Sequence, residues 1–194
     1  LQTNYTNSSR NSIRPKVGFT FEKNKYSFNF NSSTSMMDYD NHSIYLKKDT
    51  ELNKKYFLPY VNAQIRYKLD RSKYLTLKYD YDNKLPTPVQ IIPVANLSNP
   101  LVTFIGNPEL DPNSTHTGSL NFNNYNFRER SGYNLYIKTN FFENEIVSTS
   151  VFDANGKKTT SYVNVKNTHS TSIGGNWNQY IKKEVHVFRY GINF

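Results

Sequence analysis

Apolar and polar residues alternate at period two over long stretches of this chain, and that alternation limits what it can fold into more than any other feature. Val61, Ala63, Ile65, Tyr67 and Leu69 fall on one face of an extended segment, with Asn62, Gln64, Arg66 and Lys68 on the other. Leu75, Leu77, Tyr79 and Tyr81 repeat the pattern against Thr76, Lys78, Asp80 and Asp82. Faces this charged do not suit the interior of a sandwich. The same alternation recurs at Val17, Phe19 and Phe21, at Tyr26, Phe28 and Phe30, and at Leu120 and Phe122. It returns at Tyr133, Leu135, Ile137 and Phe141, at Val163 and Val165, and at Phe188, Tyr190, Ile192 and Phe194. Eight strands are predicted, near 14–22, 25–36, 56–69, 74–83, 115–127, 132–147, 160–180 and 185–194. A phase slip between Phe122 and the pair Tyr125 and Phe127 marks an expected bulge.

The connections sort into two kinds that strictly alternate. Glu22–Lys25, Asp70–Lys73, Arg128–Ser131 and Lys182–Glu184 are short and charged, whereas 31–55, 84–114 and roughly 148–160 are long and polar. In an up-and-down antiparallel sheet this places every tight turn at one end and every long loop at the other. Greek-key crossings give no reason for such sorting, but outer-membrane barrels combine short periplasmic turns with long extracellular loops.

Composition supports the same reading. The chain has 27 Asn, 16 Tyr and 13 Phe but only 3 Ala, so the best helix former is nearly missing while strand-favouring rings abound. No run of 18 apolar residues is present, which excludes a spanning helix but not a spanning strand of about 9–11 residues. The net charge of +9 admits anionic partners, yet the 24 basic residues are spread along the chain, unlike the stripe of a nucleic-acid reader. With no Cys, disulfides and thiolate zinc sites are excluded. The long polar faces suit a wide, watery lumen.

One segment is more specific than pattern. Residues 84–112 read KLPTPVQIIPVANLSNPLVTFIGNPELDP, between the strand YLTLKYDYDN and the strand-like THTGSLNFNNYNF. Pro86 and Pro88 form a corner, Pro93 follows Gln90, and Asn99 pairs with Pro100. Gly106, Asn107, Pro108, Leu110 and Pro112 then complete a Gly-Asn-Pro-x-Leu-x-Pro string. This resembles the TonB-dependent outer-membrane receptors, and most closely the barrel family of Bacteroidetes-type bacteria. Asn113 departs from the resemblance, standing where many such receptors carry Glu after the final Pro. Residues 142–167, with Asp153, Asn155 and Gly156 at an acidic-Gly turn, look like that family's next extracellular hairpin.

The resemblance implies an all-β, antiparallel, transmembrane barrel segment over residues 1–194, an arc of about eight strands in a circle of about 22. It implies location in the outer membrane of a Gram-negative bacterium, contact with outer-membrane lipid, and partnership with a plug domain and the TonB machinery through the rest of the chain. The expected cargo is a nutrient, an iron chelate or an oligosaccharide. No plug-like region, TonB box or signal peptide is read in these residues. The alternatives are a soluble secreted glycan-binding or adhesion module and a complete small eight-stranded barrel.

Read physically, the motif is a rigid, irregular segment without ladder hydrogen bonds: Gly106 permits a positive φ, the prolines fix φ and remove donors, and Asn107 precedes a proline. No catalytic, metal or cofactor site, and no nucleic-acid partner, is expected. His42, His116, His169 and His186 are scattered, no Gly-x-Ser-x-Gly elbow occurs, and Asp38 and Asp40 read as a solvated loop. Tyr39, Tyr45, Tyr56, Phe57, Tyr60, Tyr81, Phe104, Tyr162 and Trp177 are read as girdle residues, with sugar stacking as the alternative.

Overall fold

A computed structural model describes residues 5–45, 48–93, 96–99 and 101–194. Its main sheet is built from β1 (Tyr5–Ile13), β2 (Lys16–Lys23), β3 (Tyr26–Tyr45), β4 (Lys48–Lys68), β5 (Lys73–Lys84), β8 (Asn113–Asn126), β9 (Ser131–Phe142), β12 (Thr168–Lys183) and β13 (His186–Asn193). They lie in the order β1-β3-β4-β5-β8-β9-β12-β13, with β2 also on β3 and every pairing antiparallel. β1 and β2 are one strand in two pieces. Ile13 faces Met36 and Lys16 faces Ser33, so the register runs through unbroken and sets Arg14 opposite Ser35. Pro15 interrupts it because it has no N–H, although its carbonyl still accepts from the Thr34 amide at 3.3 Å. Counted this way the sheet has the eight predicted strands, and it is an open arc with β1/β2 at one edge and β13 at the other.

Pairing lines up the alternating faces across the sheet. Phe21, Phe28, Ile65, Leu77, Leu120, Ile137 and Ile173 form one row through seven strands. The other face carries Gly18, Asn31, Asn62, Asp80, Thr117, Asn140 and Ser170 in a parallel row. Asn31 donates to Asn62 at 3.4 Å, Asn62 to Asp80 at 2.7 Å, Thr117 to Asn140 at 2.9 Å and Asn140 to Ser170 at 3.2 Å. The apolar row has nothing packed on it: Leu77 is 52% exposed and Ile173 72%. A face of this size left bare in water would aggregate, so its solvent is lipid.

The tight turns all lie at one end, at 24–25, 69–72, 127–130 and 184–185. Asn24, Arg130 and Glu184 take positive φ there, of 53°, 49° and 53°. At the second turn the Asp70 carboxylate accepts from the Ser72 amide (2.7 Å) and hydroxyl (3.0 Å) and from the Lys73 amide (3.0 Å).

Three expectations are corrected at the opposite end. Residues 31–55 are not a loop: β3 and β4 continue as a hairpin pairing Tyr45 with Lys48. The run 132–147 breaks after Phe142, and 160–180 breaks at Asn167, whose φ is 60°. Between those breaks β10 (Glu145–Phe152) and β11 (Lys158–Val165) form a separate hairpin, as the acidic-Gly turn suggested. No bulge occurs at Phe122–Tyr125, since β8 and β9 hold one register from Thr115–Phe142 to Asn126–Ser131. The slip is Asn124 taking an outward position near the rim while Tyr125 turns inward opposite Gly132.

Two predictions follow from these elements. Leu120→Lys, near the middle of the apolar band, should destabilise the barrel by about 2–4 kcal/mol, while Ser119→Gln on the polar face, between Lys78 and Lys138, should change it by less than about 0.5 kcal/mol; unfolding in lipid vesicles reads both. At Asp70, the Ser72 amide first, then the Ser72 hydroxyl and Lys73, hold the carboxyl below its ordinary 3.8. Its contribution is therefore present above that value and lost as pH falls through the lowered one. Amide exchange at Ser72 and Lys73 should accelerate on that acid side relative to the other turns, and Asp70→Ala should abolish the difference.

Candidate functional site

The motif segment folds inward over the polar face. After β5, Pro86 is buried and Thr87 starts a single turn, α1 (Pro88–Ile91), with proline in its first position. The Gln90 side chain accepts from the Thr87 amide at 2.7 Å and its hydroxyl at 3.0 Å. Pro93 follows the turn. Then come β6 (Asn96–Asn99), ending on Asn99, and β7 (Val102–Phe104), while Pro100 lies outside the described residues. These two short strands pair with each other, and β7 runs parallel to β11, giving a small sheet in the order β10-β11-β7-β6. The expectation of a segment without ladder bonds is thus corrected for its middle, where the Ile105 amide still bonds the Thr160 carbonyl of β11 at 3.0 Å, and holds for 106–112, which lies outside any strand.

That last stretch is a clasp. Gly106 is needed for space and not for the positive φ expected of it: its φ is not in that region, but a side chain on it would collide with the Ile92 carbonyl, so only glycine lets the two backbones meet. Asn107 makes four bonds: its amide donates to Gln90 O (2.6 Å), its side-chain amide to Tyr162 O (2.9 Å), its side-chain oxygen accepts from the Glu109 amide (2.9 Å) and its carbonyl from the Leu110 amide (3.4 Å). Lys54 of β4 donates to the carbonyls of Pro108 and Leu110. Asn164 of β11 exchanges two bonds with the Asp111 backbone, at 2.8 and 3.1 Å. Pro112 ends the string one residue before β8.

Under the clasp lies the core. Ile91, Leu110 and Tyr39 are each no more than 2% exposed, with Leu52, Tyr56, Ile92, Ile146 and Tyr162 packed around them. In register, Tyr39, Leu52 and Tyr56 share the inward face with Asn31 and Asn62. Burial first, then Tyr39 and Asp111 nearby, push the Tyr56 hydroxyl above its ordinary range. The girdle reading is corrected for Tyr39, Tyr56 and Tyr162, which are core, and for Tyr60, which also faces inward. The side chain of Tyr45 lies outside the described residues, and Phe57 and Phe104 are exposed.

Outward rings do mark the two ends of the apolar band. Towards the tight turns, Tyr26 stacks on Tyr67 (4.8 Å between centroids) and Trp177 sits beside Tyr190 (5.6 Å). Towards the long loops, His116 lies tilted against Tyr81 at 4.6 Å and bonds both the Tyr79 hydroxyl (2.7 Å) and Glu143 (3.0 Å). That His116 cluster was invisible as spacing, because its members come from two strands and a bend. No group of three metal-ligating His, Cys, Asp or Glu side chains occurs among the described residues.

A lipid-facing apolar band between aromatic rings, a hydrogen-bonded wet face and loops sorted by length define the wall of an outer-membrane β-barrel. The chain belongs to the outer membrane protein beta-barrel family, whose model matches residues 3–193. Its place is therefore the outer membrane of a Gram-negative bacterium. Seven chains of solved structures match its fold. One is the siderophore receptor PirA from Pseudomonas aeruginosa, with a TM-score of 0.57 and 11% identity. The match covers 97% of this chain and 43% of that one, so these residues span less than half of the receptor's length. No curated protein matches the chain.

Leu110→Ala should lower the opening free energy of the clasp by about 2–5 kcal/mol through lost packing. Amide exchange at Asn107 and Asp111 should then quicken while that of β8 and β9 stays as it was; Gly106→Ala should act in the same direction by unseating the Ile92 contact.

Proposed function

We propose that this chain is part of the barrel wall of a TonB-dependent receptor of the Bacteroidetes type, which takes up a nutrient, an iron chelate or an oligosaccharide, across the outer membrane. The observation that carries the reading is the wet face, a continuous ladder of Asn, Asp, Ser, Thr and Lys side chains roofed at its extracellular end by the motif clasp. A barrel that only anchored itself would fill its interior with packed side chains. A wide lumen instead leaves room for a plug, and a solved protein of similar fold is a siderophore receptor, which agrees with that use.

In this reading the wall does no covalent chemistry and holds no cofactor. It supplies a rigid water-lined surface, the clasped loops meet the cargo, and a plug coupled to the TonB machinery, carried by the rest of the chain, opens the path. A soluble adhesion module is set aside by the bare apolar faces, which pack on lipid and not on each other. A complete eight-stranded barrel would need β1/β2 to pair with β13, and these lie at opposite edges of the sheet.

The test is made on the full-length protein in its own outer membrane. Cells supplied with candidate iron chelates and oligosaccharides as limiting nutrient should grow on one of them only with this gene. That uptake should stop when TonB is removed or the proton gradient is collapsed. Uptake indifferent to both would identify a passive porin and end the receptor reading.

A further inference from the structure

A cavity of about 510 Å3 opens on the inward face where β2, β3, β4 and β5 meet, lined among others by Arg14, Lys16, Ser33, Ser35, Leu58 and Tyr60. Leu58 is one inward position along β4 from Tyr56 of the clasp core, so the cavity lies directly beneath the clasp. Elsewhere on the wet face some cations are matched locally: Lys78 pairs with Asp80 at 2.8 Å, and Lys68 with Glu22 at 3.1 Å. Here Arg14 and Lys16, successive inward positions on one strand, make no ion pair and no side-chain hydrogen bond among the described residues. Asp82 also lines the cavity and engages neither within ion-pair distance, which leaves the cavity net cationic.

A second, independent observation falls in the same place. Ser35 stands opposite Arg14 in register, is only 3% exposed, and its hydroxyl has no hydrogen-bond partner. A buried hydroxyl without a partner is costly unless something supplies one. Pro15, between the two cations, cannot pair as its neighbours do and breaks the strand here.

The geometry points to a binding subsite for an anionic group, a carboxylate or phosphate borne by the transported molecule, seated between Arg14, Lys16 and the Ser35 hydroxyl. This rests on the reading of the chain as a receptor wall and narrows its cargo to an acidic one. Arg14 offers a planar fork of donors for two oxygens, Lys16 a point charge, and Ser35 a neutral donor from the opposite strand.

Full-length receptor purified in detergent, titrated calorimetrically with citrate, with inorganic phosphate and with neutral glucose, tests this. Wild type should bind citrate or phosphate, more weakly as salt rises, and should not bind glucose at this site. Whichever of the two anions binds more tightly identifies the group the cargo carries. Arg14→Gln and Lys16→Gln should each weaken anion binding about ten-fold. Arg14→Lys should restore part of the loss, Ser35→Ala should weaken binding less, and Arg189→Gln, far along the sheet on β13, should leave it unchanged. Equal heat-modified mobility of all variants establishes that each barrel is folded. Failure of wild type to bind either anion, as when an acidic side chain of the receptor's own plug fills the cavity, overturns the subsite. So does unchanged affinity in the Arg14→Gln, Lys16→Gln double variant. Anion binding without nutrient uptake ends the transport reading alone, and uptake with an anion affinity the double variant does not alter ends the subsite alone.

Discussion

Inside hydrocarbon no water is present to satisfy an unpaired amide or carbonyl, and this single constraint dictates the sheet. Every strand must hold its register along the whole membrane-crossing stretch, because a slip of one residue would carry all its apolar side chains to the wet face. The pairings obey it: β3 on β4, β5 on β8 and β8 on β9 each keep one register from end to end. The exception is instructive. Pro15 breaks the first strand some ten residues above its tight turn, about the length a tilted strand needs to cross, so the lost donor falls where the strand leaves the membrane.

Freed from that constraint, the extracellular half is organised differently. There the side chains face water on both sides, and order comes from a small buried core and not from the ladder alone. Leu110 and Ile91 supply the apolar surface, Tyr39, Leu52 and Tyr56 of the long hairpin supply the floor, and Ile146 and Tyr162 of β10 and β11 close the side. Prolines make this arrangement economical in entropy, since a segment already restricted in φ loses less freedom on docking. The bonds of Asn107, Lys54 and Asn164 then tie three separate loops into one unit.

The membrane-crossing part was legible in the sequence because lipid outside and water inside impose a strict period of two. Strand β5 was expected at 74–83 and lies at Lys73–Lys84, and all four tight turns fall where charge and shortness put them. The extracellular part was not, since no such alternation governs it. The hairpin through Asp38, Asp40, Asn41 and Asn53 is built of poor strand formers and exists because its two arms pair with each other and with β1. Tyr39 and Tyr56 were misread as girdle residues for a related reason: a ring suits either a girdle or a core. A signal was available in their parity, which matches Asn31 and Asn62 and not Phe30 and Ala63. The anionic subsite gave no motif because its donors come from two strands, joined only by the register that sets Arg14 opposite Ser35.

The register also links the roof to the wall. Ser35 and Leu58 face each other in the inward row between the clasp core at Tyr39 and Tyr56 and the polar ladder at Asn31 and Asn62. Any movement that lifts Leu110 from its seat removes packing from Tyr39 and Tyr56, and these sit on the same two strands that carry the cavity. Under the proposed reading, a cargo held by charge beneath a cover held by packing meets two interactions of different kind. Salt and pH act on the first and hardly touch the second, whereas loss of a methyl group acts on the second and leaves the first intact. The wall thus separates recognition from closure while supporting both on the β3–β4 hairpin, the longest paired element in the sheet, which carries the floor of the clasp and pairs with the strand of Arg14 and Lys16.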